Sequence, residues 1–129
     1  MKHYNTEQEQ TKIFNDNGAF FAFSNEQMDK CANQSLDYKN LGSGLYCPSN
    51  NVNSLSKELK ESLDFKIKWE LENNTLKDII WYELANHEAE ITGDYSDACE
   101  SLKPYGIKED DIKKEWPGYY QNCIDNDYF

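Results

Sequence analysis

Arginine is absent from this chain. All thirteen of its basic residues are lysines, so nothing in it makes the planar two-pronged grip on phosphate or carboxylate that a guanidinium offers, and arginine-finger chemistry is excluded. Long apolar runs are missing too. No stretch approaches the roughly 18 apolar residues needed to cross a bilayer, and residues 1–10 lack the apolar core of a secretory signal. The expectation is a cytoplasmic protein with no membrane partner. Cys31, Cys47, Cys99 and Cys123 lie sixteen, fifty-two and twenty-four positions apart, with neither the close pairs of a zinc ribbon nor the density of a small secreted scaffold, so reduced thiols are expected. No internal repeat or linker is visible.

What the chain does have is acid and aromatic surface. Its 129 residues suit one domain, and an aromatic content of 14% offsets a hydrophobic content of only 38% by supplying large apolar groups. The formal charge is -11, which argues against direct nucleic-acid binding because phosphate neutralisation needs clustered cations. The charge is uneven: residues 1–64 carry six lysines and nine acids, residues 65–129 seven lysines and fifteen acids. Such a field attracts a basic partner or simply keeps the chain in solution.

Periodicity predicts a mostly helical α+β single domain, residues 1–129, with a small two- or three-stranded sheet. Residues 4–16 read as a short helix stopped by Asn17 and Gly18. The aromatic run Ala19–Phe23 reads as a strand buried on both faces, followed by a helix capped by Ser24 or Asn25 and reaching about Asn33. Leu45–Cys47 reads as a second strand ended by Pro48, and Gly42-Ser43-Gly44 as a turn, since it lacks the Lys-Ser/Thr of a phosphate loop. Leu55, Leu59, Leu63 and Ile67 recur every four residues, the mark of an amphipathic helix. Thr75 and Asp78 then resemble a capping box opening a helix whose stripe is Leu76, Ile80, Leu84, His87 and Ile91, with the sheet set against the helices of residues 54–70 and 75–91. Gly93 stops that helix. A shorter one carries Ala98, Cys99 and Leu102, and a last one begins near Glu109, bears Ile112 and Trp116 and ends before Pro117 and Gly118.

Three ordered elements carry a resemblance: Asn-Gly-Ala-Phe-Phe-Ala-Phe-Ser-Asn-Glu-Gln at residues 17–27, Tyr-Glu-Leu-Ala-Asn-His-Glu at 82–88, and Gly-Asp-Tyr-Ser-Asp-Ala at 93–98 with Leu102 and Gly106 beyond. They resemble a family of small phage and bacterial proteins of unknown function across roughly residues 14–112. Met28 departs from the pattern, where an aromatic is more usual. The resemblance implies association with mobile elements, and by analogy an inhibitor of host machinery, for example an anti-CRISPR or similar anti-defence protein.

Two readings of function follow. In the first, the chain is non-catalytic and without a cofactor, and its acids dock on a basic host protein, such as a nucleic-acid-handling defence factor; the partner-facing residues are Glu88, Glu90, Asp94, Asp97, Glu100, Glu109, Asp110 and Asp111. A homodimer through exposed aromatics is compatible with this composition. In the second, Glu83, His87 and Glu90, spaced four and three, project from one side of a helix and hold a metal for catalysis, with Asp94, Asp97 or His3 completing the set. Against it, the second helical histidine of a zincin and the repeated Glu-x-x-His of a ferritin-like site are both missing. His87 otherwise reads as a structural histidine bonded to a carboxylate or a strand carbonyl of residues 17–25. The cysteines read as structural rather than nucleophilic, and Trp69, Trp81 and Trp116 as packing residues.

Overall fold

The computed structural model describes residues Met1–Phe129. Seven helices and three strands follow in the order α1 (Glu7–Asp16), β1 (Phe20–Phe21), α2 (Asn25–Cys31), β2 (Tyr38–Asn40), β3 (Leu45–Pro48), α3 (Val52–Asn73), α4 (Leu76–Asn86), α5 (Ala89–Thr92), α6 (Ser96–Leu102) and α7 (Glu109–Asp125). The architecture is mostly helical α+β. Two compact units divide the chain, one of residues 5–66 that holds the sheet, the other of residues 1–4 and 67–129, and the division falls inside α3.

In the sheet unit, β3 lies between β1 and β2 and pairs antiparallel with both. Cys47 on its inner face is buried with Ala19 and Leu55, and Ile13, Phe14, Val52 and Leu59 pack around them. Across the outer face the Phe20 ring meets its cross-strand partner Tyr46 at 5.9 Å, a pair of the kind worth roughly 0.2–1 kcal/mol, and reaches past β3 to Tyr38 at 5.4 Å. The aromatic run is therefore not a doubly buried strand. Only Phe20–Phe21 pairs, at a sheet edge, and Phe21 and Phe23 are 49% and 74% exposed. A three-stranded sheet has one central strand, β3, and the small Ala19 and Ala22 supply the buried positions of the run instead.

Local capping explains the helix starts. Ser24 Oγ accepts the Gln27 N–H at 3.2 Å, satisfying one of the first amides of α2, while Gln27 Oε1 reaches back to accept the Phe23 N–H just before the cap at 2.7 Å. At the far end of α1, the buried Asn17 donates Nδ2 to the Ile13 carbonyl and to Glu58 Oε2, both at 2.8 Å. Gly42, Ser43 and Gly44 all take positive φ in the β2–β3 connection, so the glycines make a turn. Gly44 is required twice over: its φ is +81°, and a methyl there would overlap the Phe23 ring.

The helical unit is built on Ile79, Ile80 and Leu84 of α4, Ala98 and Leu102 of α6, and Ile107, Ile112, Tyr119 and Cys123. A fully buried aliphatic side chain of this kind contributes roughly 1.5–3 kcal/mol relative to exposure. Thr75 Oγ1 accepts the Asp78 N–H at 3.1 Å and opens α4. Residues 1–4 belong here, Lys2 exchanging backbone hydrogen bonds of 2.6 and 2.8 Å with the Asn74 side chain. His3 packs on Tyr82, ring centroids 4.4 Å apart.

Two expectations of helix length are overturned. α4 ends at Asn86, because Glu88 adopts φ 51° and ψ 40°, and Ile91 on the following α5 is 59% exposed rather than part of the stripe. α7, in contrast, runs through Pro117 to Asp125. A proline inside a helix costs on the order of 3 kcal/mol, but stopping there would strip Tyr119 and Cys123, 3% and 1% exposed, from the core.

Candidate functional site

The break at Glu88 disperses the predicted metal set. Glu83 and His87 remain neighbours, Oε2 to Nε2 at 3.3 Å, and the same imidazole nitrogen lies 2.9 Å from Ser101 Oγ. The carboxylate beside His87 is on its own helix, and the histidine's other contact ties the end of α4 to α6 rather than to residues 17–25. Glu90 does not share their helix. It sits on α5 beyond the left-handed residue, and its Oε2 accepts the Tyr119 hydroxyl at 2.6 Å. No three His, Cys, Asp or Glu side chains are arranged to hold a metal ion.

The site that does take shape is an open cleft of about 830 Å³, in the range of small-ligand pockets. It lies between the left-handed Gly93 and Gly106, beside α6, the 3-10 turn Lys103–Tyr105 and the start of α7. Tyr95, Cys99 and Ile107 give it an apolar floor; Asp94, Glu100 and Glu109 stand on its rim with Lys103 and Lys108. Asp94 is held by the chain itself, its Oδ1 accepting the Ser96 N–H at 2.9 Å and the Ser96 hydroxyl at 2.6 Å. Those two bonds hold its carboxyl below the usual aspartate range.

Lys103 is not a free cation, since its Nζ lies 2.6 Å from Glu100 Oε1. The thiol of Cys99 reports the balance of charge around it. Burial pushes its pKa up, Glu109 and Glu100 push further, Lys103 opposes, and Asp94 adds to the rise. Burial likewise raises Cys47 and Cys123, so these three thiols stay protonated near neutrality and are poor nucleophiles. All four cysteines are free.

Of the eight acids assigned to a partner surface, the cleft gathers Asp94, Glu100 and Glu109. Glu88, Asp97 and Asp110 are exposed outside it. Two others have structural duties: Glu90 holds Tyr119, and Asp111 Oδ2 accepts the Lys108 N–H at 3.0 Å in the cap of α7.

An aromatic ladder leads away from the cleft. Tyr95 faces Trp116 at 5.3 Å, Trp116 meets Tyr119 at 5.9 Å and Tyr120 at 5.6 Å, and Tyr120 meets Phe129 at 5.6 Å. Its outer end is exposed at Tyr120, Ile124, Tyr128 and Phe129. Trp69, Trp81 and Trp116 are all partly buried, so the packing role assigned to them is accompanied by accessible ring surface. Neither Glu70 nor Tyr105 stands out in the sequence as a functional residue. Glu70 is fully buried and its Oε2 accepts the Tyr105 hydroxyl at 2.8 Å; the only signal for it was its three-residue spacing from Ile67 on α3.

Fold and cleft together define a small, mostly helical α+β protein with an acid-rimmed groove. The chain belongs to DUF7659, a family of unknown function whose model matches residues 2–122. No curated protein and no solved structure matches it. No helix is long and apolar enough to cross a membrane.

Proposed function

We propose that this protein is a non-catalytic binding protein of the host-cell cytoplasm that occupies a basic surface on another protein, acting as an anti-defence inhibitor of a nucleic-acid-handling factor such as a CRISPR nuclease. The observation that carries the reading is the charge of the helical unit, seven lysines against fifteen acids over residues 1–4 and 67–129, with Glu88, Asp94, Asp97, Glu100, Glu109 and Asp110 all exposed. A surface of that sign accelerates encounter with a basic partner and repels nucleic acid, so it competes for the patch where phosphate would sit. The mobile-element setting comes from the family resemblance alone.

The test is affinity capture from host cells with the intact chain as bait, beside a Glu88→Gln, Asp97→Asn, Asp110→Asn variant. The expected result is one stoichiometric partner that is held at low salt, is lost on raising salt and is retained poorly by the variant, with the partner's nucleic-acid cleavage falling as the complex forms. Surface attraction is screened beyond about 8 Å at physiological ionic strength, so the salt response must be strong. Retention indifferent to both salt and the substitutions, or multiple turnover of a substrate by the purified chain, would sink the reading.

A further inference from the structure

We infer that the cleft beside α6 seats one apolar side chain of a partner polypeptide, with an adjoining lysine or arginine of that segment held by Asp94, Glu100 and Glu109. This deepens the binding reading and rests on it. Three observations converge. The volume of about 830 Å³ has room for a few side chains but leaves the groove open to solvent, which suits a segment of a larger molecule better than an enclosed small ligand. Its floor of Tyr95, Cys99 and Ile107 offers rings and aliphatic surface, and through Tyr95 it continues into Trp116 and Tyr120. Aromatic surface of this kind is where binding energy concentrates in protein interfaces.

Charge sets the choice of partner. Glu100 is hydrogen-bonded to Lys103 at 2.6 Å, whereas Lys113 stands 3.8 Å from Glu109; both pairs are solvent-exposed, and exposed ion pairs are weak enough for an incoming guanidinium to exchange with. Asp94 is fixed by Ser96 through Oδ1 alone, leaving Oδ2 to accept. A carboxylate already oriented by two hydrogen bonds loses little freedom on binding, and a guanidinium can engage it in charge-assisted bonds. With three carboxylates against Lys103 and Lys108 the lining stays net negative, so a cationic side chain is favoured there over a phosphate or an acidic peptide.

The experiment titrates the full-length protein, ¹⁵N-labelled, with short synthetic peptides matched in length: one combining leucine and arginine, one with glutamine and arginine, one with leucine and glutamate, and a single-stranded oligonucleotide. The leucine–arginine peptide should shift the amides of residues 93–109 and bind at least about tenfold tighter than the others, a difference of about 1.4 kcal/mol. Glu100→Gln with Glu109→Gln should weaken it about tenfold, while Asp16→Asn with Glu26→Gln, exposed acids of the sheet unit, should change it about twofold or less. Circular dichroism checks that each variant is folded. If both arginine peptides bind alike and both double variants weaken them alike, the cleft inference falls while the acidic-surface reading stands. If no arginine peptide binds but the host partner is still captured, the cleft is again not the seat. Equal binding of the leucine–glutamate peptide or the oligonucleotide overturns the charge argument itself.

Discussion

The Tyr119 hydroxyl donates to Glu90 Oε2 at 2.6 Å, so the carboxylate that helical spacing groups with His87 instead anchors α5 to α7. Tyr119 is 3% exposed, and both its burial and this bond favour the protonated phenol, raising its pKa far above the ordinary value near 10.

Tyr119→Phe should therefore lower stability at neutral pH by about 1.5–3 kcal/mol, the range for a hydrogen bond to a charged acceptor. The pH dependence has a definite sign. The phenol ionises near pH 10 when unfolded but not when folded, so its contribution is complete below pH 10 and is lost as pH rises beyond it. Urea unfolding between pH 7 and 11 should show wild type falling above pH 10 by about 1.4 kcal/mol per pH unit more steeply than Tyr119→Phe. Parallel curves would remove the assignment.

Glu88 is a non-glycine residue in the left-handed region, at φ 51°, a conformation that costs a side-chain-bearing residue roughly 1–2 kcal/mol. Glu88→Gly relieves it and gives back part through the freer unfolded chain. Thermal melts should show a net gain on the order of 0.5–1 kcal/mol. A loss instead would mean that the carboxylate stabilises the turn by contacts stronger than the strain.

Gly44→Ala places a methyl against the Phe23 ring at a φ of +81°. The expected destabilisation is about 2 kcal/mol, read by denaturant titration. Phe23 is largely exposed, so adding Phe23→Ala should recover the steric part and leave the backbone part. Full recovery in the double variant would show that the left-handed φ costs nothing.

Pro117→Ala restores an amide donor inside α7. Since proline in a helix interior is about 3 kcal/mol less favourable than alanine, and rigidifies the unfolded chain by less than about 1 kcal/mol, the variant should gain about 2 kcal/mol. Unchanged stability would place the cost of Pro117 at zero in this helix and require another account of why it is tolerated.

Local chemistry was readable from residue order. Ser24 and Thr75 cap where their hydroxyls precede a helical pattern, Leu45–Cys47 forms a strand ended by Pro48, the glycines at 42 and 44 turn the chain, and Leu55, Ile80 and Leu84 fall on buried helical faces. Each of these follows from a side chain acting on backbone within a few positions. The acids of the cleft are legible in the sequence, but their grouping is not: Asp94, Glu100 and Glu109 line one cleft because α6 and α7 follow the left-handed Gly93 and Gly106.

The errors share one cause. His87 and Ile91 read as one stripe because a period of 3.6 continues across a break it cannot register, whereas the chain turns at Glu88. Pro117 read as a stop because helix propensity counts the lost amide and not the buried Tyr119 and Cys123 beyond it. Phe21 and Phe23 read as core because an apolar run does not disclose which strand will be central, and Glu70 does not stand out at all because a charge says nothing of the Tyr105 that will meet it. Composition and short-range pattern settled the helical character, the caps and the sign of the field. Which residues face one another was left to packing, since burial energy is summed over contacts distant in the chain and outweighs local preference wherever the two disagree.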